Sequence, residues 1–267
     1  LEQELCKLTT VSRTVCVNSW TSGAILILNW FGIKEGDEVI VPAYTYSATA
    51  LAVLHCGATP VMVDVTNDLT IDVSAVERAI TPKTKVIMPV DIAGWPSDYE
   101  AINALVIKSS VRDQFVAESD KQTLLGRIMV ISDAAHSFGA IYKQMPVGKL
   151  ADLTIFSFHA VKNITTAEGG AICLNLPDCF DIEAEYKLMK LYTLNGQSID
   201  AFTKSQGGGW KYDILFAGLK VNMTDVCAAI GLAQIRKYDS LLRQRERVAR
   251  AYQSFFSRYE YFELPPL

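Results

Sequence analysis

Residues 38–63 read EVIVPAYTYSATALAVLHCGATPVMV, and this stretch decides the fold. The β-branched run at 38–41 predicts a strand, the apolar run at 47–55 predicts a helix, and 60–63 predicts a second strand. Strands that are apolar on both alternating faces are typical of parallel sheets covered by helices on both sides. This strand–helix–strand unit predicts an α/β fold with a mainly parallel, mixed sheet and helices on both faces.

The same alternation continues along the chain. Further strands are predicted at 85–90, 127–131, 153–158 and 170–174. Further helices are predicted between them at 21–31, 73–80 and 99–107. Beyond residue 176 the pattern becomes mostly helical, with helices predicted at 182–191, 224–238 and 241–258.

Two segments depart from this pattern. The polar segment 108–125 carries charges of both signs and predicts a surface insertion between a helix and the next strand. Segment 198–211 contains three consecutive glycines and predicts a mobile loop. Such a loop is either a lid over a site or a plain connection.

The composition narrows the class of protein. Half of the 267 residues are hydrophobic and 20% are charged, as in soluble globular enzymes. The net charge of -4 argues against a nucleic-acid surface, and no apolar run approaches the ~20 residues of a membrane span. The six cysteines and three histidines show no metal-ligand spacing, so we expect no metal site and reduced thiols in the cytoplasm.

Lys162 is the first candidate for chemistry. An isolated lysine at a strand end usually reaches solvent, but a desolvated lysine loses its proton readily and forms a Schiff base with a carbonyl. Asp133, near the end of another predicted strand, either caps a helix or meets a ligand at the sheet edge. Together the two residues favour pyridoxal 5'-phosphate (PLP), whose ring nitrogen stays protonated beside a carboxylate.

A phosphate cup and a ring cover are the other parts of such a site. Ser19, Thr21 and Ser22 begin an apolar predicted helix, where backbone N–H groups and hydroxyls favour an anion, although Ser and Thr also cap helices that bind nothing. Ser157 is another hydroxyl candidate for the same phosphate. Tyr46 follows a strand and either stacks on the ring or belongs to the core.

Four segments, in order, resemble the DegT/DnrJ/EryC1/StrS family of sugar aminotransferases. Residues 19–65 resemble its phosphate-helix segment and the strand that follows, and 133–140 (DAAHSFGA) resemble its cofactor motif. Residues 156–172 (FSFHAVKNITTAEGGAI) are similar to its lysine signature, and 218–235 (GLKVNMTDVCAAIGLAQI) to a later segment. The resemblance implies the large domain of a fold-type-I PLP-transferase.

Each residue near the cofactor ring receives a role from the resemblance. It implies that Lys162 forms the Schiff base and acts as a catalytic group, and that Asp133 pairs with the pyridine nitrogen. His136 would lie near the ring and its phenolic oxygen. Tyr46 would stack on the ring.

The phosphate group receives its ligands in the same way. Thr21, Ser22 and Ser157 match the phosphate binders of the family. Asn222 matches a residue that reaches the phosphate from the neighbouring subunit. The resemblance therefore implies a homodimer with a shared active site.

Several positions depart from the family pattern. Trp20 stands where a glycine is usual, Ser132 where a glutamate is usual, and Asp91 where a histidine is frequent. Lys220 and Asn222 stand where many members have asparagine and arginine, and this pair resembles the branch that acts on nucleotide-linked 4-keto sugars. None of these changes removes an expected cofactor contact.

The function that follows is transamination, because family members that dehydrate can carry histidine in place of Lys162. We expect amino transfer from glutamate to a keto sugar linked to a nucleotide, in amino-sugar biosynthesis. A PLP-binding fragment without turnover and a homologue that has lost PLP are the alternatives. The chain is short for the family, so we divide it into a large domain, 1–240, and a helix, 241–267, that leads toward a truncated small domain.

Overall fold

The computed structural model describes residues 1–198 and 212–264. Its strands, in chain order, are β1 (Arg13–Val17), β2 (Glu38–Pro42), β3 (Thr59–Val63), β4 (Thr84–Ile87), β5 (Met129–Asp133), β6 (Ile141–Tyr142), β7 (Met145–Pro146), β8 (Leu153–Ser157) and β9 (Gly170–Leu174). Its α-helices are α1 (Glu2–Thr9), α2 (Trp20–Trp30), α3 (Ser47–His55), α4 (Val73–Ala79), α5 (Tyr99–Ile107), α6 (Ser109–Arg112), α7 (Asp120–Leu125), α8 (Ile182–Tyr192), α9 (Asp225–Ile235) and α10 (Tyr238–Phe256).

A seven-stranded sheet in the order β1-β9-β8-β5-β4-β2-β3 forms the centre of the described part. Strands β2, β3, β4, β5 and β8 pair in parallel. Strand β9 is antiparallel to both β8 and β1. Consequently the parallel strands end at one edge of the sheet, and the loops that follow them meet there.

The hydrophobic core lies on both faces of this sheet. Along β5, Met129 and Ile131 pack in one cluster with Leu26 of α2, whereas Val130 packs in the other cluster with Ile102 of α5. Alternate residues of one strand therefore face two layers of helices. The predicted mainly parallel, mixed sheet with helices on both faces is confirmed.

The boundaries differ from the predictions in a few places. The strand predicted at 127–131 spans Met129–Asp133, and the last helix begins at Tyr238 instead of residue 241. Helix α1, strand β1 and the small β6–β7 pair were not predicted. The glycine-rich segment predicted as a loop, 198–211, lies outside the described residues apart from Ser198.

The prediction that 108–125 is a surface insertion agrees with the exposure of most of its residues, although Val111 and Gln122 are buried. This segment forms α6 and α7 and reaches the core. The Gln122 side chain is fully buried and its amide nitrogen donates to the Phe31 carbonyl at 3.1 Å. The ammonium of Lys85 in β4, also fully buried, donates to the Val116 carbonyl at 2.5 Å. A polar composition here reflects buried hydrogen bonds as well as exposure.

We expect Lys85→Met to destabilise the protein by about 3 kcal/mol, because removing one partner leaves the other groups buried and unpaired. The Lys85 ammonium lies 3.8 Å from the carboxylate of Asp37, which is 2% exposed. The measurement is the urea concentration at the midpoint of unfolding, with the dependence of the free energy of unfolding on urea concentration unchanged. Lys34→Met is the matched control, since its 2.8 Å pair with Glu118 is exposed and contributes under about 1 kcal/mol. Equal losses in both variants would contradict the prediction.

Candidate active site

A cavity of about 610 Å³ lies at the carboxyl edge of the sheet. Most of the predicted site residues line it, namely Thr21, Tyr46, Asp133, His136, Ser157 and Lys162. The topology explains this, because these residues follow or end strands β1, β2, β5 and β8, or begin the next helix. The volume is that of a site for a cofactor-sized ligand.

Asp133 ends β5 with a nearly buried side chain that is 4% exposed. Its carboxylate accepts hydrogen bonds from the Thr49 hydroxyl at 2.8 Å and the Ala135 N–H at 3.2 Å. Within the described residues it has no ion pair. Burial raises the pKa of Asp133 to about 7, although both hydrogen bonds oppose the rise. The cavity thus contains a desolvated carboxylate that a cationic ring nitrogen would stabilise.

Lys162 follows β8 in a turn in which its N–H donates to the His159 carbonyl at 3.0 Å. Its ammonium has no hydrogen bond or ion pair with any residue of 1–198 or 212–264. Burial lowers the pKa of Lys162, and the charge of Asp133 partly opposes this. The amine is therefore easier to deprotonate than a surface lysine, which is the condition for attack on a carbonyl.

The imidazole of His136 has a fixed orientation. Its Nδ1 accepts a hydrogen bond from the Ala93 N–H at 3.2 Å, and the Asn163 amide donates to its backbone carbonyl at 2.8 Å. Burial and then the Lys162 charge lower the pKa of His136. The neutral ring consequently carries its proton on Nε2, which leaves that nitrogen as a donor.

The start of α2 has unsatisfied donors. Ser19 caps the helix, because its Oγ accepts from the Ser22 N–H at 3.1 Å and donates to the Ser22 hydroxyl at 2.9 Å. The N–H groups of Trp20 and Thr21 have no acceptor in the described part of the chain. The Ser157 side chain lines the same cavity. Free N–H groups at a helix start, flanked by hydroxyls, favour a phosphate.

Gly170 allows β9 to approach this helix start. A Cβ on Gly170 would lie 2.9 Å from the carbonyl carbon of Ser19 and 3.0 Å from the nitrogen of Trp20. The Trp20 side chain, which stands where the family usually has glycine, is 6% exposed and packs in a core cluster while also lining the cavity. The bulky residue therefore forms part of the wall and leaves the helix start open.

Tyr46 precedes α3 and its side chain is 76% exposed. The alternative that Tyr46 is a core residue is therefore wrong. Its place among the lining residues leaves it free to cover a flat ligand. Tyr44, also exposed, lines the same side of the cavity.

Asn222 is separate from this cavity. It lines a second cavity with residues of α1, β1 and α8. Its side-chain oxygen accepts from Lys220, and its amide donates to the Met223 carbonyl at 3.3 Å. The predicted contact of Asn222 with the phosphate of a neighbouring subunit stays a prediction.

Some residues of the site were not predicted. Thr49 holds Asp133 from one turn into α3, and the N–H of Ala93 orients His136. At the mouth of the cavity, Nε2 of His159 lies 3.5 Å from the carboxylate of Glu168. His159 and Glu168 both stand inside the quoted segment 156–172, so their nearness to Lys162 in sequence was the available signal.

Within 1–198 and 212–264, no group of three or more His, Cys, Asp or Glu side chains is arranged to hold a metal ion. In the same ranges, no helix is both long and apolar enough to cross a membrane.

Residues 1–112 and 120–267 match the sequence model of a protein family, the DegT/DnrJ/EryC1/StrS aminotransferase family. The chain belongs to this family. The unmatched residues, 113–119, fall inside the segment that was predicted to be an insertion, so the part foreign to the family is shorter than 108–125. The family resemblance stated from the four sequence segments is confirmed.

Known relatives agree with this assignment. The chain is 37% identical over 259 residues to the spore coat polysaccharide biosynthesis protein SpsC of Bacillus subtilis, covering 96% of this chain and 61% of SpsC. The PMP form of Spr1654 from Streptococcus pneumoniae is 46% identical with a TM-score of 0.90, covering 96% of this chain and 64% of that one.

A third relative is Helicobacter pylori PseC, an aminotransferase involved in the biosynthesis of pseudoaminic acid. PseC is 30% identical with a TM-score of 0.82, and the match covers 98% of this chain and 63% of PseC. These likenesses confirm the predicted fold class, that of fold-type-I PLP aminotransferases. The chain spans less than two thirds of the length of each of these three relatives.

Proposed function

We propose that this chain is the cofactor-binding part of a PLP-dependent sugar aminotransferase that moves an amino group from glutamate to a nucleotide-linked keto sugar. The observation that carries the proposal is the pairing of groups in one cavity. Among the described residues, a lysine amine without an ion pair, a buried carboxylate without a cation and a helix start with unsatisfied N–H groups line it together. The family membership and the likeness to SpsC, a polysaccharide biosynthesis protein, and to PseC, an aminotransferase of pseudoaminic acid biosynthesis, support the sugar class.

The residues fit PLP at both of its ends. The carboxylate of Asp133 lacks a cationic partner in the described residues, and a protonated ring nitrogen would supply one. The N–H groups of Trp20 and Thr21, which have no acceptor in the described residues, would hold the phosphate together with the Ser157 hydroxyl. The Ser22 hydroxyl does not line the cavity but lies beside it, bonded to Ser19, and would take part as the resemblance implies. When bound, PLP supplies an electron sink for the carbon that loses a proton.

Two further residues would orient the ring. The Nε2–H of His136 is the donor available for the phenolic oxygen, because its Nδ1 is already occupied by the Ala93 N–H. The exposed ring of Tyr46 would stack on one face and exclude water from it. The site would thereby fix the plane in which chemistry occurs.

Lys162 would perform two tasks in this mechanism. Its amine would hold the cofactor covalently until an amino donor replaces it. Once free, the same Nζ would remove the proton from the α-carbon of the donor and return a proton on the cofactor side. Burial favours both tasks, since it lowers the pKa of Lys162.

The proposal extends to assembly and location. Asn222 lines a different cavity from Lys162, which supports its predicted contribution to the site of a second subunit in a homodimer. The cysteines of the described residues are unpaired, which supports a cytoplasmic location. Small-molecule substrates, and neither nucleic acid nor membrane, are the proposed partners.

The experiment that tests the function is borohydride reduction of the protein with PLP, followed by peptide mapping. We expect a pyridoxyl group on the peptide that contains Lys162, and less label when glutamate is added before the reduction. The exposed Lys149 is the internal control and should stay unlabelled. If the amount of label on Lys162 stays the same after glutamate is added, the result would support a fragment that binds PLP without turnover. An unlabelled Lys162 would contradict the proposal and favour a homologue that has lost PLP.

A further inference from the structure

Asp91 is a second buried carboxylate beside Asp133. It follows β4, and its backbone N–H donates to the Asp133 carbonyl at 3.0 Å. In return, the Asp133 N–H donates to the Pro89 carbonyl at 2.9 Å. The Asp91 side chain is fully buried. Two carboxylates therefore lie at the ends of neighbouring strands, both shielded from water.

Neutral groups surround the carboxylate of Asp91. Its Oδ1 accepts from the Tyr99 hydroxyl at 2.8 Å and the Ser97 N–H at 3.1 Å, and its Oδ2 accepts from the Ser137 hydroxyl at 2.7 Å. The Tyr99 hydroxyl also contacts the hydroxyl of Ser132 at 2.5 Å. Three hydrogen bonds donated to one buried carboxylate favour its charged form.

The charge of Asp91 is not neutralised by a cation. No ion pair includes it in residues 1–198 or 212–264. Burial raises the pKa of Asp91 to about 6 against its hydrogen bonds, so the group is ionised at neutral pH. The titratable groups that interact with it are Tyr99 and Asp133, and Asp133 in turn interacts with Lys162. Because both carboxylates are shielded from water, little solvent screens the charge of Asp91 at Asp133, which lines the cavity.

The same carboxylate also anchors the turn that carries His136. Ser137, whose hydroxyl donates to Asp91, follows His136 directly in the chain. Ala93, two residues after Asp91, donates to Nδ1 of His136. The loop after β4 and the turn after β5 are therefore tied at two points, one of them Asp91.

We propose that Asp91 is a positioning residue of the cofactor site, which fixes the turn of His136 and places a second negative charge behind Asp133 to keep a bound ring nitrogen protonated. The inference rests on the proposed function, because the ring is that of PLP. Asp91 touches neither the ring nor a substrate in this role. It acts through Asp133 by charge and through Ser137 by geometry. The family resemblance places a histidine at this position in many members, so the device belongs to chains with aspartate here.

The first test needs no cofactor. In the full-length protein without PLP, the carboxyl carbon of Asp133 is titrated by NMR and assigned by its absence in Asp133→Asn. We expect Asp91→Asn to lower the midpoint by about one pH unit, because a like charge is removed. Ser137→Ala keeps the charge of Asp91 and should lower the midpoint of Asp133 by less than half of the shift that Asp91→Asn causes. Equal midpoints in the wild type and Asp91→Asn would overturn the proposal.

The second test uses the protein loaded with PLP labelled with ¹⁵N in the ring. The nitrogen shift against pH reports ring protonation directly. We expect the ring nitrogen in Asp91→Asn to lose its proton about one pH unit lower than in the wild type, a tenfold change in its acid constant. In Ser137→Ala this midpoint should stay within a third of a unit of the wild type. An unshifted midpoint in Asp91→Asn, with PLP bound, would overturn the electrostatic role.

A third variant covers the case in which Asp91→Asn does not fold. Tyr99→Phe removes one donor to Asp91 and raises its pKa, so less negative charge remains near neutral pH. Both midpoints should then move in the same direction as in Asp91→Asn, by a smaller amount. Movement in the opposite direction would overturn the proposal. If the wild type takes up no PLP, the proposed function fails, while the first test still judges the coupling of Asp91 with Asp133.

Discussion

Lys162→Ala is expected to abolish covalent attachment of PLP and to lower turnover by roughly 10⁴-fold, because in the proposed mechanism one amine would both hold the cofactor and move the proton. The absorbance of the bound cofactor and the half-reaction with glutamate measure the two effects separately. Cofactor retained without covalent attachment would indicate that the proposed phosphate and ring contacts at Thr21 and Asp133 remain.

The control for this variant is Lys149→Ala. Lys149 is exposed and does not line the cavity, so its removal should leave both the absorbance and the half-reaction unchanged. A Lys162→Ala protein with full activity would sink the proposed function. Partial rescue by an added small primary amine would strengthen the assignment, since it would restore the missing base.

Asp133→Asn is expected to bind PLP and yet to react roughly 10²- to 10³-fold more slowly, since the shape stays and the charge opposite the ring nitrogen is lost. Single-turnover reaction with glutamate is the measurement. Asp181→Asn is the matched control, because Asp181 is an exposed cap of α8 and asparagine also caps helices. Near-normal turnover of Asp133→Asn would refute its role.

The same variant should be more stable than the wild type when PLP is absent and the pH is above about 7. Burial raises the folded-state pKa of Asp133 to about 7, so the proton that stabilises the folded form is lost as the pH rises through that value. Asparagine avoids a buried, unpaired charge. The difference in stability between Asp133→Asn and the wild type should disappear as the pH falls and Asp133 becomes protonated. Thermal unfolding of both PLP-free proteins across this pH range measures it, and a gain independent of pH would contradict the cause.

Local sequence predicted the parts of the site that lie within one segment. Lys162, Ser157 and the E-G-G run share one strand and loop, and Ser19 to Ser22 share one helix start. The partners of these residues come from elsewhere. Thr49 donates to Asp133 from 84 positions away, and no local pattern encodes such a contact.

Contacts between residues that are distant in the sequence also explain which parts of the fold were not predicted. Strand β1 is a short edge strand that pairs with β9, from Arg13 with Leu174 to Val17 with Gly170, so its partner is far away in the sequence. The buried contacts of segment 108–125 were not predicted, because most of its residues are polar and exposed. One of those contacts is made by Lys85, a lysine inside a strand, and polar composition alone does not distinguish satisfied burial from exposure.

The position of β9 has a consequence for the order in which the protein matures. The helix start that suits a phosphate and the loop of Lys162 become neighbours only after β9 has inserted between β1 and β8. Contacts between residues so distant in the chain form late in folding. A ribosome-bound chain that ends before β9 cannot close this edge. Under the proposed function, uptake of PLP is then expected only after the sheet is complete.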